Sequence, residues 1–97
     1  MGGRDMNNHI PTLNPAIIAR QMGSEIVLLE PASGRCYGIN AVGLSFWQMV
    51  DGEKSLAAII ASLADEYDVA LAEVTDDITA LASSLAEQSL ITLREPA

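Results

Sequence analysis

The spacing of apolar residues changes character near residue 40. Ile17-Ile18-Ala19-Arg20-Gln21 and Glu25-Ile26-Val27-Leu28-Leu29-Glu30 are short runs in which apolar and β-branched residues dominate. Met22-Gly23-Ser24 separates them as a turn, and Pro31 closes the second. After Pro31-Ala32-Ser33-Gly34, a hairpin-type connection, Arg35 to Ile39 returns as a third strand. Links this short favour an antiparallel meander. Beyond residue 40 the period becomes helical. Asn40 can cap a helix over 41–50, which Asp51-Gly52 stops. Ser55 caps a second helix carrying Leu56, Ile59, Ile60, Leu63 and Tyr67, and Asp68-Val69 breaks it. A third helix over 71–88 shows Val74, Ile78, Leu81 and Leu85 in one stripe. Glu73 in its first turn, with Asp76 and Asp77 a turn later, sits well near the positive helix end. Leu90-Ile91-Thr92-Leu93 reads as a helix-end anchor or a short extended tail.

Neither a lone three-stranded sheet nor three separate helices can bury their apolar faces. Packing the helices on one side of the sheet does so. The expected fold class is α+β and winged helix-turn-helix-like, a three-stranded antiparallel sheet followed by three helices. Such an open sheet keeps two edges with unpaired N–H and C=O groups. The expected organisation is a flexible N-terminal segment over residues 1–13 and one domain over 14–94, with His9 incidental in the polar leading stretch.

Composition narrows the function. The chain has 97 residues, enough for one domain, and only 4% are aromatic, so the core is aliphatic. Its net charge of −8, with five basic residues scattered at Arg4, Arg20, Arg35, Lys54 and Arg94, argues against nucleic acid as partner. The single cysteine, Cys36, excludes an internal disulfide and a multi-cysteine zinc site. No long apolar run or signal-peptide pattern occurs, so a cytoplasmic chain without a membrane partner is expected. Asp76 and Asp77, as helix neighbours, point about 100° apart and do not converge on a metal. No metal or cofactor is expected. One cysteine and a peripheral histidine do not assemble a nucleophile, base and orienting group, so no catalytic residue is assigned.

One segment carries more information than the rest: Gly34-Arg35-Cys36-Tyr37-Gly38-Ile39-Asn40, followed by Gly43 and Trp47. With Val27-Leu28-Leu29 before it and Asp51-Gly52, Leu56, Ile59, Val74, Asp77-Ile78, Leu85 and Leu90-Ile91 after it, the order resembles the PqqD-like family. These are small domains that recognise the leader regions of ribosomally made precursor peptides. The resemblance covers roughly residues 24–93. Ala70 stands where members often have Asp, and Ser89 where many have Gly, which weakens two helix ends. The chain length and the Gly34-Arg35-Cys36-Tyr37 turn resemble the discrete recognition proteins of lasso-peptide pathways more than those of pyrroloquinoline quinone synthesis.

The resemblance implies that an extended leader adds as a strand to the third strand, in the groove beside the third helix. The implied peptide-binding residues are Arg35, Cys36, Tyr37, Gly38 and Ile39 on the strand, and Asp77, Ala80, Leu81 and Ser84 on the helix. Gly38 leaves room for a neighbouring backbone, and the small Ala80 and Ser84 leave room for a ring or proline. The implied partners are a precursor leader peptide, a separate leader peptidase and a cyclase. The spare edge also permits a dimer. The residues read plainly as well: Trp47 as core, Tyr37 as a half-buried strand residue with a satisfied hydroxyl, Cys36 as an unreactive thiol and Arg35 as an edge-guarding charge. Two other functions remain: a carrier of the pyrroloquinoline quinone precursor, and a winged-helix transcription regulator, against which the net charge weighs.

Overall fold

The computed structural model describes residues 8–95, in the order β1 (Ile10–Leu13), β2 (Ile18–Met22), β3 (Glu25–Glu30), β4 (Arg35–Ile39), α1 (Ala41–Met49), α2 (Leu56–Tyr67), α3 (Leu71–Glu87) and β5 (Ile91–Arg94). The meander is β2-β3-β4, all antiparallel, with β3 in the middle. Its register sets Ile18 opposite Leu29 and Leu28 opposite Tyr37. Side chains alternate across a strand, so Ile26, Leu28 and Ile39 share the face that meets the helices. All three are buried, alongside Phe46, Leu56, Ile59 and Leu63. Trp47 joins this core at 7% exposure, the packing role expected of it.

The helix ends follow their local chemistry. The Asn40 side chain accepts from the Gly43 N–H at 3.0 Å, and Ser55 accepts from the Ala58 N–H at 3.2 Å. Ala70 precedes α3 without any side-chain cap, as its methyl group requires. At the other end of α3 the chain reverses through Ser89, whose φ of 64° is left-handed. The Leu90 N–H then reaches the Leu85 carbonyl at 2.9 Å, and Asn14 Nδ2 donates to the Ser89 carbonyl at 2.8 Å. A serine Cβ is strained in that conformation and glycine is not. Ser89→Gly is therefore expected to stabilise the fold by about 0.5–1 kcal/mol and to raise Tm by roughly 3–6 °C. A melting curve with Tm unchanged or lowered contradicts this reading of the turn.

A second, two-stranded sheet departs from the sequence reading. The sequence reads as flexible over residues 1–13, yet Ile10–Leu13 forms β1 and pairs antiparallel with β5, Pro11 facing Leu93. Pro11 is fully buried. The tail at Leu90–Leu93 is thus a strand and not a helix end. His9 is not incidental either, because its carbonyl accepts from the Leu56 N–H at 2.8 Å, an orphan donor at the start of α2. A proline inside a four-residue run argues against a strand, and the partner of Thr12 lies 80 residues away at Thr92. Local spacing carries no trace of such a contact. The part of that segment at residues 1–7 lies outside the described residues.

Candidate functional site

The meander leaves β4 as an edge strand, because among the described residues β3 is its sole neighbour in the sheet. Beside it runs α3. Two observations establish how strand and helix face each other. The Tyr37 hydroxyl donates to Gln88 Oε1 at 3.1 Å, tying mid-β4 to the residue that ends α3. At the other end, Asn40, Val42 and Gly43 face Asp77, Ile78 and Leu81 across a cleft of about 370 Å³. Moving forward along β4 therefore moves backward along α3, and the two elements frame an open channel. Asp77, Leu81, Ser84 and Gln88 follow one another at helical spacing and make a single stripe along its wall.

The structure sorts the residues expected to bind peptide. Arg35, Tyr37 and Ile39 share the strand face directed toward the helices, as the buried Ile39 shows. Ile39 is only 8% exposed, so its side chain belongs to the core and its backbone alone borders the edge. Tyr37 is half-buried and its hydroxyl is engaged, as the plain reading anticipated. Arg35 is exposed. Tyr37 beside it and the Glu30 carboxylate across the hairpin push its already high pKa further up. Cys36 and Gly38 project to the opposite face. There Cys36 borders a shallow apolar depression with Ile18, Val27 and Leu29. On the helix, Asp77 and Leu81 line the cleft, whereas Ala80, between them in sequence, and Ser84, one turn beyond, are exposed and lie outside its lining.

Three neighbours of the channel escaped the sequence reading. Asn40 reads in the sequence as a helix cap and the end of the Gly34–Asn40 motif, yet it also lines the cleft. Val42 lies among the small residues of α1. Gln88 lies on the continuation of the Asp77–Ser84 stripe, and that spacing was the one available signal. Polarity is uneven along the channel. Asp77 brings acid to the Asn40 end, and Arg35 brings a cation to the other.

The family model of coenzyme PQQ synthesis protein D (PqqD) matches residues 25–91, from the first residue of β3 into β5. The chain belongs to the PqqD family. Every element that frames the channel lies within that match. Two solved structures superpose well on this PqqD-family chain. One is TbiB1 in complex with the TbiA(beta) leader peptide, at a TM-score of 0.75 and 26% identity, covering 84% of this chain and 94% of that one. The other is lasso peptide synthetase B1 complexed with the leader peptide, at a TM-score of 0.74 and 30% identity, covering 84% and 95%. No curated protein sequence matches this PqqD-family chain.

Proposed function

We propose that this protein is a non-catalytic recognition module that binds the leader of a ribosomally made precursor peptide of lasso type. The leader adds as a strand to β4 and lies in the channel beside α3. The observation that carries this reading is the unpaired β4 edge facing the α3 stripe, in a fold shared with two proteins solved as leader-peptide complexes. Backbone groups on β4 hold the peptide in register, while Tyr37, Asp77, Leu81 and the exposed Ala80 and Ser84 select its side chains. The bound leader is then delivered to a separate peptidase and cyclase in the cytoplasm. Among the described residues, no helix is long and apolar enough to cross a membrane.

Magnitudes decide how the affinity is divided. A backbone hydrogen bond exchanged with water nets about 0.5–1.5 kcal/mol. Micromolar affinity requires about 8 kcal/mol, and immobilising the peptide adds to that demand. Strand pairing alone falls short, so one or two apolar leader side chains in the cleft supply the remainder.

The PqqD family description supports a second reading, a carrier of the pyrroloquinoline quinone precursor. A DNA-binding regulator has less support, since α3 contains no Lys or Arg and the net charge is −8. Fluorescence polarisation distinguishes the three. Labelled lasso leaders are expected to bind saturably at micromolar Kd or below, and more tightly than a pyrroloquinoline quinone precursor. Preference for the latter precursor selects the carrier. Failure of both, with duplex DNA bound in a steeply salt-dependent manner, overturns peptide recognition. Sedimentation of the free chain tests the spare edge, because a dimer paired through β4 would compete with the leader.

A further inference from the structure

Past the channel, a second cavity opens beside the first turns of α3. It holds about 200 Å³, and its walls include Val42, Tyr67, Val69 and Val74, with Glu73 and Asp77 contributing to its lining. The walls are chiefly carbon. The Tyr67 hydroxyl is already paired with Ser45 Oγ at 2.6 Å, which leaves its ring to present an apolar surface. Tyr67 and Val69 are nonetheless 37% and 36% exposed, so apolar wall stands open to water. An apolar cavity of about 150 Å³ accepts a benzene ring, so this one holds a single aromatic or branched aliphatic side chain.

The two carboxylates have a different requirement. Glu73 and Asp77 stand four residues apart on α3, both exposed, a like-charge spacing that costs a helix a few tenths of a kcal/mol. Among the described residues the one salt bridge joins Lys54 to Asp51, so no described cation pairs with either. The cavity adjoins the cleft at the end of β4, since Val42, Asp77 and Ile78 line both. From Leu81 to Glu73 is eight helical residues, about 12 Å, which about four extended peptide residues span.

We propose that this slot is a second subsite for the same peptide, taking an aromatic or branched aliphatic side chain flanked by Lys or Arg that pairs with Glu73 and Asp77. The inference rests on peptide recognition at β4 and adds to it a sequence rule. The apolar anchor with its basic neighbour lies about four residues from the segment that pairs with the strand. Apolar surface and acid meet at one end of a peptide channel, and a peptide bearing both features satisfies both.

Panning a random-peptide phage library against the full chain tests the rule. Enriched peptides are expected to place an apolar residue next to Lys or Arg at that distance from an extended segment. A selection on the E73Q/D77N double variant is expected to keep the apolar preference and lose the basic one. A labelled peptide of the enriched consensus should bind that variant about twofold to thirtyfold more weakly, the range for two exposed ion pairs. The difference should vanish when its basic residue is replaced by Gln. Val42→Trp, which fills the slot, should remove the apolar preference as well. Enriched peptides without a basic bias, or with a bias that E73Q/D77N leaves intact, overturn the subsite while peptide recognition stands. If nothing enriches on the parent chain, peptide recognition fails and the subsite with it.

Discussion

Proline at the open edge of β4 is expected to weaken leader binding by roughly 5- to 150-fold. In an antiparallel pair, alternate residues turn their N–H and C=O toward the neighbouring strand, and the residues between turn theirs away. Tyr37 and Gly38 are consecutive, so one of them donates to β3 and the other faces the edge where the leader adds. Proline has no N–H to donate and its ring crowds the adjoining backbone. At the outward position it removes one intermolecular bond and disturbs the next, worth together about 1–3 kcal/mol of binding. At the inward position it instead breaks a bond of the β3–β4 ladder and lowers stability. Tyr37→Ala and Gly38→Ala separate these effects from loss of the side chain. A Cβ on Gly38 meets no atom within 4 Å, so Gly38→Ala should fold as the parent does, and any loss of its leader affinity measures the room that the added methyl takes from the neighbouring backbone. The measurement is leader affinity by fluorescence polarisation beside a urea melt for each variant. Parental affinity in both proline variants would end the strand-addition mechanism.

Gly43→Ala is expected to destabilise the domain by up to about 2 kcal/mol. A Cβ built on Gly43 overlaps Ile39 Cγ2 and lies 3.3 Å from Ile39 Cβ. Ile39 is buried at the end of β4 and Gly43 is buried in the first turn of α1, so strand and helix meet where a methyl group does not fit. Helix propensity favours alanine by about 1 kcal/mol, but overpacking a dense core costs about 1–3 kcal/mol and occasionally more. Against a total stability of about 5–15 kcal/mol the loss is large. Leucine at position 39 lacks the branch methyl that the new Cβ meets, so Ile39→Leu should partly rescue Gly43→Ala. The urea midpoint reads both effects, and a midpoint unmoved by Gly43→Ala would show that the contact relaxes freely. Leader affinity should fall in step, because the displaced Ile39 carries the end of the pairing edge.

The helices were legible for a physical reason. Asn40 and Ser55 are caps whose partners lie three residues on, at Gly43 and Ala58, and the apolar spacing of α2 records the face it buries. Such signals are local and survive in a linear string. The meander was legible for the same reason, with short links at Met22-Gly23-Ser24 and Pro31–Gly34 forcing neighbours to pair. The candidate site was read partly. The order of residues from Gly34 to Trp47 and its resemblance to a family point to β4 and α3, and Ile39 can take part in that strand only through its backbone, because its side chain is core. Whether a strand residue faces the core or the open edge depends on what packs over it, which alternation alone leaves undecided.

By itself, then, the sequence determined three helices, a three-stranded meander, an acidic surface and membership of a family by the order of its motifs. Tertiary structure decided the rest. It joined Ile10–Leu13 to Ile91–Arg94, set Gln88 against Tyr37, and brought Val42, Tyr67 and Glu73 around one slot. These contacts link residues far apart in the chain. Their energy comes from burial and pairing that exist only once the chain has closed, so no short window of sequence encodes them.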